Sequence, residues 1–550
     1  MSDAAGFDAA LVTLGGDGLW YVAALDFALG YALEPAATGG RSMQLGGRPL
    51  ARFWRFRRRV VLDAVEAEAW LNEQGAGQPA GVGGVTEGLD EIGHAAAVDR
   101  IRRYIAAGDC YQVNLTFPLH FTWFGHPLAL YGRLRARQPV RYGGFVGDAS
   151  GGIVSLSPEL FLEKTGERLV TRPMKGTLPR NQPAERLRNS LKDQAENLMI
   201  VDLLRNDLGR VAAKGGVKVE RLFEIEDYPT VWQMVSEISA RVPGVGPGEI
   251  LQSLFPCGSI AGAPKIRAMQ IIAELEAQPR GLYTGAFGWF APNGDFRLNV
   301  AIRTLELAPD QRGCMGIGSG IVSDSTAPAE WRECLLKAAF LSACDPGLKL
   351  IETLRREDGE YPRLSGHLDR LRRSAAWLGF ACDEALVRRR LAALPVHGIW
   401  RVRLTLDKAG AIEVQAFPLD DAPVTSRLAL LAETRIDSGD PLRRLKTTAR
   451  KVYDDALSIL APGSPVFDVV FLNERGEVAE GARSNVFVER DGCLLTPPLS
   501  SGALPGVLRG ELLAAGRARE AVLLPDDLAS GFWLGNALRG LLPVRLAAQQ

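Results

Sequence analysis

The sequence predicts an α+β protein made of two different domains. Three observations carry this reading. The chain has 550 residues, beyond the size at which one hydrophobic core keeps growing, so two or three domains are expected. Short strands, Gly-rich turns and amphipathic helices succeed one another without the regular strand-helix spacing of a doubly wound sheet. A Pro-Gly turn, Cys344-Asp345-Pro346-Gly347, then interrupts the chain, and the residues after it repeat no pattern of those before it. The domains are placed accordingly at residues 1–345 and 346–550.

Taken in order, residues 1 to about 90 mix short apolar runs with Gly-rich turns such as Gly81–Gly84. A helix is predicted from His94 to Ala107, where Val98, Ile101 and Ile105 share a face and Gly108-Asp109 ends it. The alternation from Tyr111 to Phe121 predicts a strand. A second helix is predicted from Glu196 to Leu208, with Leu198, Met199, Val201, Leu203 and Leu208 as its apolar face and Gly209 closing it. A third starts at Pro264, a favoured first helical residue, after the Gly-rich segment from Pro256 to Gly262. Gly316–Gly320 reads as a further Gly-rich turn, Ala329–Ala343 as a helix, and Leu348–Leu354 as the strand that opens the second domain.

Hydrophobic residues make up 47% and charged residues 23% of the chain, and the 64 basic residues balance the 64 acidic ones. This composition excludes a disordered chain and gives no basic face for nucleic acid or an anionic membrane. Met1–Gly16 lacks the basic and apolar regions of a leader, and no run reaches the roughly 18 apolar residues of a spanning helix. A cytoplasmic location is the expectation. The seven cysteines (110, 257, 314, 334, 344, 382 and 493) include no CxxC pair, which predicts buried, reduced thiols and neither a disulfide framework nor a zinc site. Only 11 of the basic residues are lysines, so a lysine inside a motif stands out.

Asp193 and Glu196, and again Glu330 and Glu333, are three residues apart on helices, so each pair projects from one face. Four such carboxylates would suit a hard cation such as magnesium, which takes oxygen ligands and bridges to anionic substrates. Acids near helix starts also simply complement the dipole on a solvated face. Gly258 to Lys265 places a flexible turn before a helix, where free N–H groups would hold a carboxylate, although an ordinary turn has the same composition.

These features lie inside a longer pattern. Ser157-Pro158-Glu159-Leu160-Phe161, Arg172-Pro173-Met174-Lys175-Gly176-Thr177, Lys192-Asp193-Gln194-Ala195-Glu196-Asn197 with Val201 to Asp207, and Gly258 to Lys265 occur in that order. In this the chain resembles the chorismate-utilising enzymes, a family that includes anthranilate, isochorismate, salicylate and aminodeoxychorismate synthases, over roughly residues 90–343. The resemblance implies an anthranilate synthase component I-like two-sheet α/β sandwich. It implies that Glu196 and Glu333 bind magnesium holding the ring carboxylate of chorismate, with Asp193 and Glu330 in support. Glu159 would protonate the departing C4 hydroxyl. Tyr283, Ser259, Arg303 and Lys265, with N–H groups near Gly318 and Gly320, would form the substrate's carboxylate-binding wall. Gln112 stands in this substrate site where isochorismate and salicylate synthases carry a lysine base. Lys175 is the mark of the C4-aminating branch, in which the neutral amine attacks C2. Gln233 replaces a histidine that anthranilate synthases carry.

From Leu348 onward a second set of motifs occurs in order: Ile351 to Leu354, His367 to Leu371, Leu445 to Thr448, Glu480 with Ser484 to Phe487, Leu504 to Arg509, and Gly535 to Leu538. They resemble the class IV pyridoxal-phosphate (PLP) enzymes, which include branched-chain and D-amino acid aminotransferases and aminodeoxychorismate lyase. By that resemblance Lys446 would be the Schiff-base lysine, Glu480 the partner of the pyridine nitrogen, and Arg370 a phosphate ligand. Gly506 and Val507 would complete the phosphate cup from a helix start, and Asn536 and Ala537 would make further cofactor or substrate contacts. This half is short by the segment that normally precedes Glu-Thr-Leu, so a strand and part of a wall are missing or come from the first half.

Together the two resemblances imply amination of chorismate at C4 and then pyruvate elimination to 4-aminobenzoate, for folate. No Gly-x-Cys-x-Gly elbow with a distant His-x-Glu occurs, so ammonia would come from solution or from a separate glutaminase subunit. Two alternatives stay open at this point: an anthranilate synthase fused to an aminotransferase, and a synthase whose second half is a non-catalytic docking scaffold.

Overall fold

The computed structural model describes residues 17–41, 47–75, 77–149, 151–228, 231–420, 428–460 and 464–547. Met1–Gly16, the stretch expected to carry no leader, lies outside them. The chain falls into two compact units, one of residues 1–80 and 85–344, the other of residues 81–84 and 345–550. The second thus opens at the Pro-Gly turn and also takes in a short piece that no boundary in the sequence announces.

Among the described residues the first unit holds a nine-stranded and a seven-stranded sheet. The spine of the smaller one is the antiparallel pair Gln112–Phe124 and Arg312–Ile321, in register from Thr122↔Arg312 to Val113↔Ile321. Between the sheets one core joins Leu25, Phe161, Phe290 and Val300 of the larger sheet to Val113, Leu115 and Ile321 of the smaller. Burying such side chains contributes about 1.5–3 kcal/mol each. Helices Glu91–Ala106, Leu191–Gly209, Lys265–Leu275 and Ala327–Ser342 add Val98, Ile101, Ile200, Leu204, Met269 and Ile272 to buried positions, with Cys334 and Leu341 on the last.

The predicted elements exist, with local corrections. The second helix begins at Leu191 because Ser190 caps it, its hydroxyl accepting from Asp193 N at 3.3 Å. Asp193 therefore sits in the first turn and Glu196 a turn further in. Pro264 is the N-cap of its helix, with ψ 142°, and not the first helical residue.

Two glycine runs are strands rather than turns. Gly81–Gly84 opens the strand Gly81–Glu87, and Gly316–Gly320 lies within Arg312–Ile321. In the second case glycine answers a packing demand. A Cβ on Gly316 would lie 2.1 Å from the Tyr283 ring, and one on Gly313 2.0 Å from the Phe121 ring. These backbones must let aromatic rings lie flat on them.

The second unit has a three-stranded sheet of Leu350–Glu357, Ile399–Leu406 and Ile412–Pro418, and an eight-stranded sheet with its own core around Val470, Val486, Leu523 and Leu534. In the larger sheet Leu428–Leu431 runs parallel to both of its neighbours, Val466–Leu472 and Gly540–Leu546. Helix Leu364–Leu378 packs His367, Leu368, Arg370 and Leu371 inward and ends at Gly379, which takes a left-handed φ of 65°. All seven cysteines are free thiols; Cys110, Cys257, Cys334 and Cys344 are buried and the other three half-buried. No helix among the described residues is long and apolar enough to cross a membrane.

Candidate active sites

Strand Met174–Pro179 carries Lys175 and pairs with Val231–Arg241, setting Thr177 opposite Gln233. The Gln233 side chain donates to the Gly176 carbonyl at 2.9 Å and accepts from the Thr177 hydroxyl at 2.9 Å. Gln233 is therefore a clamp on the segment bearing the lysine. Gly176 has φ +86°, and a Cβ there would lie 2.9 Å from Cβ of Asp193, so that acid backs the turn. Lys175 is depressed below the ordinary lysine range by burial, and Glu159, Lys337, Glu196 and Glu333 are the charges that face it.

Glu159 is 5% exposed, just before strand Leu160–Thr165. Burial pushes its carboxyl up to about 7, against the Ser259 hydroxyl, which donates to it at 2.8 Å, and against nearby Lys175. The Cys257 thiol lies 3.1 Å from that hydroxyl. Ser157 fixes the turn before Glu159, donating to the Val300 carbonyl at 2.6 Å. The result is an amine and an acid that feel each other's charge, each driven by desolvation toward its neutral form.

The four acids do not gather into one cage. Among the described residues no three His, Cys, Asp or Glu groups are placed to hold a metal ion together. Glu196 and Glu333, on different helices, both face Lys175, whereas Glu330 accepts from the Ser325 hydroxyl at 2.7 Å and Asp193 packs on Gly176. Two carboxylates acting on one lysine still match magnesium, which takes one or two protein carboxylates and keeps waters and an anionic substrate for the rest. Lys337, passed over in the sequence, stands between Glu333 (2.8 Å) and the Gly318 carbonyl (3.0 Å).

Arg303 has a strained φ of 49° for a non-glycine residue. Its guanidinium has no carboxylate partner among the described residues, and burial depresses its pKa beside Tyr228 and Tyr283. It lines a small cavity with Met174, Tyr228 and Gln233. Tyr283 is buried beneath Gly316, and Gln112 is buried with its amide nitrogen 2.3 Å from where a Cβ on Gly320 would be. Ser259 reaches the site through Glu159.

Lys265 does not join this wall. Its ammonium donates to Asp207 at 2.7 Å and to the carbonyls of Leu254 (3.3 Å) and Pro256 (3.4 Å), which uses all three of its N–H groups. It ties down the Pro256–Gly262 segment from behind.

In the second unit a cavity of about 710 Å³ is lined by Arg370, Lys446, Glu480, Gly506, Val507, Asn536 and Ala537. Every cofactor residue expected from the sequence thus faces one space, of a size that suits a cofactor with substrate. Burial, with Arg370 and Arg450 beside it, pushes the Lys446 amine down to about 8 against the pull of Glu352 and Glu480. Glu480 is raised by burial; it accepts from the Tyr453 hydroxyl and from Leu504 N at 2.9 Å.

Arg370 is gripped by Glu352 at 2.8 and 2.6 Å and donates to the Pro505 carbonyl at 3.3 Å, leaving two of its five N–H groups. Burial opposes ionisation of Glu352, but Arg370 and then His367, at 2.6 Å, hold its carboxyl at about 2. Gly506 caps helix Val507–Ala514, whose first N–H groups lack intrahelical partners. A Cβ on Gly506 would lie 1.9 Å from the side-chain amide oxygen of Asn485. The Asn536 side chain holds its own turn, accepting from Arg539 N at 2.9 Å and Leu538 N at 3.1 Å.

Residues 5–343 match the model of the chorismate binding enzyme family. The chain belongs to that family. To the chorismate binding enzyme part is joined a stretch, residues 349–547, that matches the class IV amino-transferase model. The fold is therefore α+β, an anthranilate synthase component I-like sandwich followed by a class IV PLP-enzyme domain. Over 242 residues this chorismate binding enzyme is 43% identical to aminodeoxychorismate synthase component 1 of Salmonella typhimurium, covering 42% of this chain and 53% of that protein. Over 300 residues it is 39% identical to anthranilate synthase component 1 of Thermus thermophilus, covering 51% of this chain and 64% of that one. The chain spans about half the length of the first of these relatives. The crystal structure of anthranilate synthase component I from Streptococcus pneumoniae aligns with a TM-score of 0.51 at 27% identity, over 58% of this chain and 80% of that one.

Proposed function

We propose that the first unit aminates chorismate at C4 to 4-amino-4-deoxychorismate, and that the second eliminates pyruvate from that product to give 4-aminobenzoate, a folate precursor. The observation that carries the reading is the pairing of Lys175, shifted toward free amine, with Glu159, which holds its proton up to about pH 7. A cationic lysine beside a carboxylate anion would be an ion pair; an amine beside an acid is a nucleophile and a proton donor.

In this reading the Lys175 amine attacks C2 of chorismate, the two conjugated ring double bonds shift, and the C4 hydroxyl leaves as water with the Glu159 proton, which the new C2 nitrogen replaces with its own. Ammonia then attacks C4, the two double bonds shift back, and the lysine amine leaves C2 with the proton the ammonia gives up. The net change is amino for hydroxyl. Arg303, with no carboxylate partner, would receive a substrate carboxylate. Glu196 and Glu333 would hold a magnesium ion, whose charge neutralises the ring carboxylate. Ammonia would come from a separate glutaminase, since names such as component 1 imply a second component.

For the second step Lys446 and Glu480 face the same cavity with the phosphate-binding candidates Arg370, Gly506 and Val507, a donor set that fits PLP. The cofactor supplies an electron sink for the carbon bearing the amine. Lys446, at about 8, is able to take and return a proton at C4, and Glu480 would hold the pyridine nitrogen.

The test is incubation of the full chain with chorismate, magnesium and ammonium, with and without PLP. Aminodeoxychorismate alone is expected without PLP, and equimolar 4-aminobenzoate and pyruvate with it. Anthranilate, or no aminated product, would overturn the first step; aminodeoxychorismate accumulating despite PLP would overturn the second.

A further inference from the structure

The cavity of the second unit holds more positive charge than a phosphate group uses. Beyond Arg370 it is lined by Arg401, Arg403, Arg443, Arg450, Arg483 and Arg539. Two of these are spoken for: Arg450 pairs with Asp454 at 2.8 Å and Arg443 with Asp440 at 3.4 Å. The other four, Arg401, Arg403, Arg483 and Arg539, have no carboxylate in ion-pair contact among the described residues. Arg401 lies 4.9 Å over the Phe417 ring, Arg483 lies 4.6 Å over the Phe467 ring and donates to the Phe467 carbonyl, and Arg539 donates to the Asp420 carbonyl at 3.4 Å. Each of these three heads is held by rings or carbonyls rather than by an ion pair.

Arg483 feels the charge of the other two. The Arg483 guanidinium is depressed by burial, and of the charges acting on it Asp468 favours ionisation while Arg539 and Arg401 oppose it. Asp468 is turned to the backbone, accepting from Val469 N at 2.9 Å and Arg483 N at 3.2 Å. The main charges at Lys446 are a different set: Arg370, Arg450, Glu352 and Glu480. One cavity therefore has two separate polar regions, a lysine with its carboxylates and a cluster of like charges awaiting an anion.

We propose that Arg401, Arg483 and Arg539 form a carboxylate-binding subsite that selects amines whose carboxylates sit on carbons away from the amine-bearing one. The inference rests on the reading of this cavity as the lyase site. The product of the first unit fits it: its amine is on C4, and its two carboxylates are on the ring and on the ether side chain. An arginine cluster meets a carboxylate with paired N–H groups and gains from each charge it neutralises.

The probe is benzene-1,3-dicarboxylate, a non-reacting ring dianion, titrated calorimetrically into the full chain with and without PLP. Arg401→Ala combined with Arg539→Ala is expected to weaken its binding at least tenfold in both forms. Arg373→Ala, on an exposed helix face outside the cavity, should leave binding unchanged. The visible absorbance of bound PLP should be the same in the double variant, and lyase KM for aminodeoxychorismate should rise at least tenfold with kcat within twofold. Unaltered probe binding in the double variant overturns the subsite, as does an equal loss in Arg373→Ala. A wild-type chain that binds the probe but shows no PLP absorbance overturns the lyase reading and leaves the subsite standing.

Discussion

The Ser259 hydroxyl donates a 2.8 Å hydrogen bond to Glu159, one hundred residues earlier in the chain. That bond favours the carboxylate and holds the group below where burial alone would put it. Ser259→Ala should therefore raise the Glu159 pKa further. Activity that needs protonated Glu159 falls as pH rises through its value, so the alkaline limb of the amination profile should move up by roughly one pH unit. A limb that stays in place or moves down in the ammonia-dependent assay would remove Glu159 from the acid role.

Lys265 and Asp207 form a buried pair at 2.7 Å, with side chains 13% and 6% exposed. Removing one partner leaves the other uncompensated, so Lys265→Met should cost about 3–5 kcal/mol of stability. Lys265→Met with Asp207→Asn should recover most of it. Denaturant unfolding of the two single variants and the double variant measures the coupling; additive losses would show that the pair is not what anchors the segment.

Gly316 and Gly320 lie four residues apart on one strand but oppose different obstacles. A Cβ on Gly316 would meet the rigid Tyr283 ring at 2.1 Å, whereas on Gly320 it would meet the movable end of Gln112 at 2.3 Å. Gly316→Ala should cost about 1–3 kcal/mol and displace the tyrosine. Gly320→Ala should unfold nearly as wild type, while altering substrate KM through Gln112. Equal stability losses would contradict this account.

Lys446 carries a stability cost in the chain without PLP. Below about pH 8 it is charged in both the folded and unfolded states, and the penalty of confining that charge is felt in full. As pH rises from about 8 to the ordinary lysine range, the folded state alone gives up its proton and the penalty disappears. Lys446→Met should thus stabilise the PLP-free chain by on the order of 1–3 kcal/mol at pH 7, and much less at pH 10. Calorimetric melting at the two pH values decides it; a variant less stable than wild type at pH 7 would refute the assignment of cost.

Many of the candidate site residues were legible because they lie in contiguous strings. Lys175 sits within Arg172 to Thr177, and Lys446 within Leu445 to Thr448, and the seven expected cofactor residues do face one cavity. The misread features share one cause. Gly316–Gly320 looked like a turn because a glycine kept for space beside a ring is spelled the same as one kept for a positive φ. Lys265 looked like a ligand because its partner, Asp207, is 58 residues away. Lys337 left a local trace, four residues after Glu333 on a helix face and one of 11 lysines. Glu352 and His367 stand inside legible motifs, but their pairing with Arg370 depends on how a strand and a helix pack.

The sequence by itself determined the two-part organisation and the helices and strands that carry the motifs, and it named the candidate site residues, because these depend on local periodicity and on residue type. Only the tertiary structure decided their states: which lysine is driven toward free amine and which is locked in an ion pair, which acid holds its proton, and which arginines are left without a carboxylate. Those properties come from desolvation and from charges brought close by distant segments, and burial in three dimensions has no signature along the chain.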